Sequence, residues 1–171
     1  MNTKALHKIS YGLYVVTSTK EGRLNGQIAN TVFQVTSEPP TIAVSINHNN
    51  LTWEFIKGSQ VFAVTVLGED TPMIFIGRFG FRSGRNTNKL EGVNYRIGET
   101  GAPIVLDNAV AFMEARVTRE MDVGTHTIFI AELVDADVIS DKTSLTYEHY
   151  HEIKGGKTPR AAATYIEESK K

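Results

Sequence analysis

Two long runs with the composition of β-strands, joined by a short turn, most constrain what this chain can fold into. The runs are Ala109–Thr118 and Thr127–Val138, and Asp122-Val123-Gly124 between them predicts a hairpin. Further strands, punctuated by a turn at Glu21-Gly22 and a stop at Pro39-Pro40, are predicted over Tyr11–Thr19, Gly26–Thr36, Thr41–Ile46 and Phe62–Leu67. The chain is therefore expected to be mainly β.

Two short helices interrupt the strands. Asn50–Lys57 begins with a capping asparagine and is expected to stop at Gly58. Thr71–Phe79 opens with a threonine cap and Pro72 as the first helical residue. A first helical turn precedes the strands, residues 80–89 are expected to form a loop, and residues 149–171 an irregular C-terminal arm. This pattern predicts one domain over residues 1–171, built as a closed or nearly closed antiparallel barrel with a few short helices.

Composition excludes several classes of protein. The 171 residues carry 18 lysines and arginines against 19 aspartates and glutamates, so the net charge of −1 argues against a nucleic-acid partner. Cysteine is absent, which rules out thiolate metal sites, disulfides and a cysteine nucleophile and fits a cytoplasmic location. No apolar run approaches the ~18 residues of a membrane span.

Small polar side chains are concentrated near the ends of two predicted strands. Amide and hydroxyl groups of this kind bind phosphate or sugar oxygens, and the helix start beside them offers free backbone N–H groups. The alternative is capping and turn chemistry without a ligand. The residues concerned are Gln27, Asn30, Thr31, Asn47, Asn50 and Thr52.

The loop after the second helix brings four cations together with small residues. Arg78, Arg82, Arg85 and Lys89 flank Gly80, Ser83 and Gly84. Such a loop suits an anion site, although a solvated basic loop explains it equally well. The spacing matches neither a P-loop nor a dinucleotide fingerprint.

Three histidines require separate consideration. His126 follows Gly124-Thr125 and opens a long strand, where it can meet a cofactor or make one structural hydrogen bond. His149 and His151 are two residues apart and could share a strand face, which is a weak metal signal, and no metal site is expected.

Four runs, in order, resemble the flavin reductase family, whose members bind FMN in a split β-barrel. They lie at residues 25–56, 79–89, 124–138 and 157–165, with the sequences NGQIANTVFQVTSEPPTIAVSINHNNLTWEFI, FGFRSGRNTNK, GTHTIFIAELVDADV and KTPRAAATY. The similarity is greatest to the branch in which some anaerobes fuse the flavin domain to rubredoxin, and to flavoredoxins. The resemblance implies an antiparallel, Greek-key-like split barrel that forms a homodimer.

The resemblance also assigns roles in FMN binding. Thr52 and Ser83 would donate hydroxyls to the phosphate, and Lys89 with Arg82 would neutralise it. His126 would lie beside the ring, where the family places the electron donor, and would position groups more than act as a base. The remaining expected contacts, along the ring, the ribityl chain and the phosphate loop, are Gln27, Ala29, Asn30, Thr31, Ser45, Ile46, Asn47, Asn50, Leu51, Phe79 and Gly80.

Three functions follow as hypotheses. The first is an oxidoreductase that transfers electrons from NADH or NADPH to flavin or to an acceptor such as rubredoxin. The second is an FMN-containing electron carrier without direct NAD(P)H activity, and the third is a non-catalytic flavin-binding module. Trp53 stands where several relatives carry histidine, so access of the donor can differ here.

Overall fold

The computed structural model describes residues 1–165 of the chain. A 3-10 helix at Thr3–Lys8 comes first, as expected for the start of the chain. The strands and helices then follow in the order β1 (Tyr14–Lys20), β2 (Arg23–Ala29), β3 (Val32–Ser37), β4 (Pro40–Asn47), α1 (Leu51–Ser59), β5 (Val61–Leu67), α2 (Met73–Gly80), β6 (Tyr95–Ile97), β7 (Pro103–Val105), β8 (Ala109–Asp122), β9 (His126–Val138) and α3 (Tyr147–Glu152).

The sheet curls because its two edge strands are neighbours in the sequence. Within the described residues, seven strands pair antiparallel in the order β2-β1-β5-β8-β9-β4-β3. Only Asn30 and Thr31 separate β2 from β3, so these opposite edges lie within about 11 Å of each other. The result is a barrel that stays open between β2 and β3, which confirms the predicted mainly β, antiparallel split barrel.

The hairpin of β8 and β9 forms the centre of the sheet. Its register runs from Ala111 opposite Val138 to Asp122 opposite Thr127, with two irregularities that increase the bend. The predicted hairpin is confirmed, and both strands are longer than expected because pairing continues to the turn itself. β6 and β7, which form a separate two-stranded sheet, were not predicted.

The prediction of one strand over Gly26–Thr36 is wrong. The chain leaves the sheet at Asn30 and re-enters it at the other edge, because β2 pairs only with β1 and β3 only with β4. Side-chain alternation does not distinguish one long strand from two strands that belong to opposite edges. The first strand also starts later than predicted, at Tyr14.

Both predicted helices exist, with shifted ends. α1 passes through Gly58 and ends at Ser59, because Gln60 takes the left-handed conformation (φ 59°) expected of a terminating glycine. α2 begins at Met73 with Pro72 as its cap residue. Thr71 is therefore not the cap, and its hydroxyl donates to the carbonyl of Gly68 instead.

Three apolar clusters of the described residues stabilise the barrel, the smallest of them formed around Val61, Ile104 and Phe112. The interior is filled by side chains of β4, β5 and β9, among them Val44, Phe62 and Phe129, and by Ile56 of α1. A second cluster lies outside the barrel wall, where α2 and α3 cover β1. Phe79 of α2 belongs to this second cluster and is 1% exposed. Its burial fixes the point at which the loop after α2 begins.

Glu114 on β8 is fully buried and holds the turn between β6 and β7. Its carboxylate accepts hydrogen bonds from the backbone N–H groups of Glu99 (3.0 Å) and Thr100 (2.6 Å), and from the Thr100 hydroxyl. Both carboxylate oxygens accept hydrogen bonds, so the negative charge of Glu114 is stabilised in its buried position.

We expect Glu114→Ala to lower the free energy of unfolding by about 2–4 kcal/mol, because it removes the three hydrogen bonds that this fully buried carboxylate accepts from the turn between β6 and β7. Urea unfolding of both proteins measures the change. Glu132→Ala, an exposed glutamate on β9, serves as the control and should change stability by less than about 0.5 kcal/mol. Equal effects of the two substitutions would contradict the role of Glu114.

Candidate functional site

A cleft of about 290 Å³ lies at the opening of the barrel. The ends of β2 and β4, the start of α1, the end of α2 and the C-terminal arm all contribute to its wall. The residues predicted from the sequence that line it are Gln27, Ala29, Asn30, Ser45, Asn47, Asn50, Leu51, Thr52, Phe79, Gly80, Arg82, Ser83 and Lys89.

One wall of the cleft is polar. Asn30 donates from Nδ2 to the hydroxyl of Thr164 (2.7 Å), and Asn47 accepts from the backbone N–H of Asn49 (2.9 Å). Oε1 of Gln27 is buried and has no hydrogen-bond partner among the described residues. A buried acceptor of this kind is costly unless a ligand donates to it, so this wall suits a planar ligand with N–H groups at its edge.

The start of α1 forms the anion-binding end. Asn50 is the cap residue, but its side chain makes no capping hydrogen bond, so the first backbone N–H groups remain without that partner. The Thr52 hydroxyl accepts from Nδ2 of Asn25 (2.8 Å), which leaves its own proton free to be donated. Free N–H groups and a positive helix end together favour a phosphate.

Lys89 adds a buried positive charge to the cleft. It is 5% exposed, and Nζ donates to the carbonyl of Phe79 (3.2 Å). Burial lowers the pKa of Lys89 from 10.5 to about 8. None of the ion pairs among the described residues includes Lys89, so its ammonium is available to an anionic ligand.

The loop after α2 is mostly exposed. Ser83 accepts from the backbone N–H of Arg85 (3.2 Å), and Arg82 lies at the cleft mouth. Arg85 is paired with Glu54 and lies outside the cleft, while Arg78 donates to the carbonyl of Glu91 (2.6 Å). The four cations predicted as one cluster therefore separate into different roles.

The C-terminal arm closes the outer side of the cleft, where Lys157, Pro159 and residues 161–163 line it. A series of hydrogen bonds attaches the arm to the link between β2 and β3 and to α3. Asn30 donates to Thr164, Thr164 to the Tyr147 hydroxyl (3.2 Å), and the Tyr147 and Thr158 hydroxyls bond each other (2.6 Å). His151 completes the series between Thr158 (3.3 Å) and the carbonyl of Gly156 (2.9 Å).

Three predicted site residues do not line the cleft. Ile46 is fully buried in the barrel interior, and Thr31 bonds its neighbour Asn30 (3.1 Å). His126 lies opposite Asn47 in the register, so it is one strand away from the cleft wall. Its Nδ1 bonds the Thr125 hydroxyl (2.8 Å), and its Nε2 is buried without a partner among the described residues.

The environment of His126 favours the neutral imidazole. Burial lowers its pKa below the ordinary value, the nearby His48 lowers it further, and the Ala161 backbone opposes the shift without making a hydrogen bond of normal geometry. Ala161 itself lines the cleft, so His126 lies beneath the arm rather than in open solvent.

Part of the cleft wall was not predicted from the sequence. Asn25, Asn49 and Ile28 come from strands or turns already assigned, and only their facing was unknown. Tyr147 and Tyr150 belong to α3, and their spacing of three residues is the signal that indicates one helix face. His149 and His151 lie on this helix and not on a strand, and no cluster of metal-ligating side chains occurs in residues 1–165.

The sequence and the fold have counterparts in known proteins. High molecular weight rubredoxin of Moorella thermoacetica is 50% identical over 165 residues, covering 96% of this chain and 72% of that protein. Ferric-chelate reductase (NAD(P)H) of Archaeoglobus fulgidus is 55% identical over 167 residues, covering 98% and 99%. The NADH:FAD oxidoreductase of Streptomyces globisporus shares the fold, with a TM-score of 0.77, 23% identity and coverage of 85% and 86%.

The similarity to these relatives makes the chain an oxidoreductase of the flavin-binding class, and the open antiparallel barrel with its polar cleft agrees with that class. The chain belongs to the flavin reductase like domain family, whose sequence profile matches residues 6–154. The resemblance of the four sequence runs is thereby confirmed, and no helix in residues 1–165 is long and apolar enough to cross a membrane.

The charge on Lys89 is expected to lower the stability of the flavin-free protein. The pKa of Lys89 is lower in the folded protein than in the unfolded chain. The loss of stability is therefore complete below pH 8 and disappears between pH 8 and pH 10.5. From pH 7 to pH 10, the free energy of unfolding should rise by about 2–3 kcal/mol relative to that of Lys89→Met. Urea unfolding at both pH values tests this, and identical pH slopes in the two proteins would refute it.

The hydroxyl of Tyr147 is expected to hold the arm closed. Tyr147→Phe removes two hydrogen bonds of about 1 kcal/mol each, so trypsin should cleave at Lys157 and Arg160 roughly thirty times faster. Tyr95→Phe, an exposed tyrosine on β6, is the matched control and should cleave at the wild-type rate. An unchanged rate in Tyr147→Phe would show that the arm is held by other contacts.

Proposed function

We propose that the chain is an FMN-dependent reductase that takes electrons from NADH or NADPH. The observation that carries the proposal is that the buried ammonium of Lys89, which has no ion-pair partner among the described residues, lines the same cleft as the uncapped start of α1. Together they provide a dianion site at one end of a cleft whose other wall is polar and amide-rich. FMN has this distribution of groups, with a terminal phosphate and a ring edge that offers N–H and carbonyl groups.

The residues of the cleft divide into binding roles. Thr52, Ser83, Arg82 and Lys89 hold the phosphate, and Gln27 supplies its buried Oε1 to a ring N–H. Bound FMN supplies hydride and single-electron chemistry, which the protein orients and tunes. The arm excludes water from the outer side of the cleft.

His126 has a positioning role in this proposal. Its lowered pKa keeps the imidazole neutral, and its buried Nε2 then accepts one hydrogen bond. Thr31 and Ile46 do not line the cleft, so in this proposal they support its wall: the Thr31 carbonyl accepts from the backbone N–H of Ser45 (3.1 Å), and Ile46 packs in the barrel interior.

The relatives support the donor and suggest acceptors. The names of the Archaeoglobus fulgidus protein and of the Rhizobium rhizogenes FMN reductase (NADH) specify nicotinamide donors, and the first specifies a ferric chelate as the acceptor. We infer reduction of ferric chelates or free flavin as the activity. The proposal includes a cytoplasmic location, where reduced nicotinamide nucleotides are available.

A second function is favoured by one observation. The Moorella thermoacetica relative is named for rubredoxin and matches this chain over 96% of its length. The chain would then act as an electron carrier that passes electrons to a rubredoxin-like protein without direct NAD(P)H turnover. A non-catalytic flavin-binding module is disfavoured, because Thr52, Ser83 and Lys89 all line the cleft.

We also infer a homodimer. Exposed apolar side chains, which a second copy would cover, include Phe33 and Val35 on β3 and Met121 and Val123 at the tip of the β8–β9 hairpin. Light scattering of the FMN-loaded protein should give twice the chain mass, and a stable loaded monomer would contradict the inference.

Lys89→Ala should weaken FMN binding by about 1.5–3 kcal/mol, the contribution of a charged hydrogen bond. Fluorescence titration with FMN measures the change, and Lys142→Ala, a distant lysine paired with Asp70, should bind FMN as the wild type does. Unchanged affinity in Lys89→Ala would remove Lys89 from the phosphate site.

Anaerobic addition of NADH or NADPH to the FMN-loaded protein separates the two functions. Rapid bleaching of the flavin absorbance by either nucleotide supports the reductase. A protein that binds FMN but is reduced by neither nucleotide supports the carrier. A protein that stays colourless with added FMN refutes both the reductase and the carrier.

A further inference from the structure

The helix α2 is apolar on its outer face as well as on its inner face. Its sequence, MIFIGRFG, contains Arg78 as the single polar side chain. Phe75, Ile76 and Phe79 of its inner face are buried in the cluster that covers β1. A helix that is apolar all round is normally buried on every side, so the outer face of α2 is expected to have a partner.

The outer face of α2 is exposed along the whole helix. Ile74, Arg78 and Phe81, the cap residue that follows the helix, are spaced so that they share one side of it. Ile74 is 82% exposed and Phe81 is 53% exposed, and Gly77 between them has open space where a Cβ would lie. We call Ile74, Gly77, Arg78 and Phe81 the α2 face.

Two segments beside the α2 face are strongly basic. Residues 73–90 and 154–165 together contain seven lysines and arginines and no carboxylate, in a chain whose net charge is −1. Arg78, Lys157 and Arg160 belong to none of the ion pairs within residues 1–165. An excess of three positive charges remains when the glutamates of the adjoining elements are counted, namely Glu54, Glu91, Glu148 and Glu152.

The α2 face borders the flavin cleft. Phe81 and Arg82 line the cleft on the side of α2, and Lys157 lines it on the side of the arm. Phe81 therefore belongs both to the α2 face and to the mouth of the cleft, and a protein bound on this face would cover that mouth. Transient electron-transfer complexes bury less than about 1,200 Å², an area that one helix face with its adjoining loop can supply.

We propose that the α2 face docks a small acidic electron-transfer protein with an iron centre. The inference rests on the proposed function, because flavin in the cleft would supply the electrons. An apolar centre with a charged rim is typical of a transient protein interface, and a positive rim selects a partner of negative charge. With NADH as the donor, one NADH and two molecules of the ferric partner give NAD⁺, one proton and two molecules of the ferrous partner.

A second copy of this chain fits the α2 face less well than an acidic partner does. In a two-fold dimer built through this face, the face would meet its own copy, and the cations beside it would repel each other. The apolar side chains assigned above to the homodimer lie on β3 and at the tip of the β8–β9 hairpin. The two surfaces share no residue, so each can have its own occupant.

Calorimetric titration of the flavin-free, full-length protein with two iron proteins of opposite charge tests the docking step. A rubredoxin of net negative charge is the probe, and cytochrome c, which is basic, is the control. We expect the rubredoxin to bind at low salt at least about tenfold more tightly than cytochrome c. Its affinity should fall about tenfold at physiological salt, because the attraction between the charges is then screened.

Ile74→Asp places a negative charge at the centre of the α2 face and leaves the core untouched, since this side chain is 82% exposed. It should weaken rubredoxin binding at least about tenfold and leave FMN affinity unchanged. Photoreduced, FMN-loaded Ile74→Asp should also reduce dilute rubredoxin at least about tenfold more slowly than the wild type does. Val138→Asp, the same change at an exposed residue that lines neither cavity, is the matched control and should behave as the wild type.

The other outcomes overturn the proposal in distinguishable ways. Equal rubredoxin binding by the wild type and Ile74→Asp would exclude the α2 face, and equal binding of rubredoxin and cytochrome c would exclude selection by charge. Self-association that Ile74→Asp abolishes in light scattering would assign the face to a second copy. Tighter binding to vesicles that contain phosphatidylserine than to rubredoxin would assign it to a membrane surface.

Failure of the proposed function gives a different result from failure of docking. A chain that binds rubredoxin through the α2 face, but whose bound flavin is not reduced by NADH or NADPH, would support the docking face and contradict only the nicotinamide-dependent reductase. A chain that is reduced by either nucleotide, but does not bind rubredoxin, would support the reductase and contradict the docking face.

Discussion

The two-residue link between β2 and β3 is the constraint on which the rest of the structure depends. These strands occupy opposite edges of a seven-stranded sheet, so the sheet must curl until the edges meet. They do not pair with each other, and the cleft lies where β2 ends; the end of β4, the neighbour of β3 in the sheet, also lines it. The opening of the barrel and the ligand site are therefore next to each other, because one short link joins the two edges.

Two buried charged side chains, Glu114 and Lys89, have opposite surroundings in this fold. The Glu114 carboxylate is surrounded by donors and serves the structure. The Lys89 ammonium has one carbonyl and otherwise faces the cleft, so its desolvation is left uncompensated by protein groups. A protein keeps such an arrangement where it contributes to function, because an apolar side chain would stabilise the fold more. This contrast separates structural from functional charge on physical grounds.

Patterns that are local in sequence predicted the fold better than patterns that depend on distant pairing. The β8–β9 hairpin, α1 and the basic loop followed from residues close together in the chain. The break at Asn30–Thr31 could not be predicted in this way, because the side chains alternate between the two faces of a strand both before and after it. In the site, the polar ends of β2 and β4 were predicted, whereas Tyr147 and the arm residues were missed because long-range hydrogen bonds position them. The place of His126 beside the ring stays a prediction; what pairing with β4 adds is its position opposite Asn47, a residue of the cleft wall.

The late position of the arm in the sequence affects how the site is made in the cell. During synthesis the N-terminal segments emerge first and begin to fold, and the sheet can be complete once β9 has been made. The outer wall of the cleft still lacks Lys157, Pro159 and residues 161–163 at that stage. A chain interrupted before these residues would carry a finished barrel with an unfinished cofactor site. Retention of flavin thus distinguishes completed chains from truncated ones that have already folded.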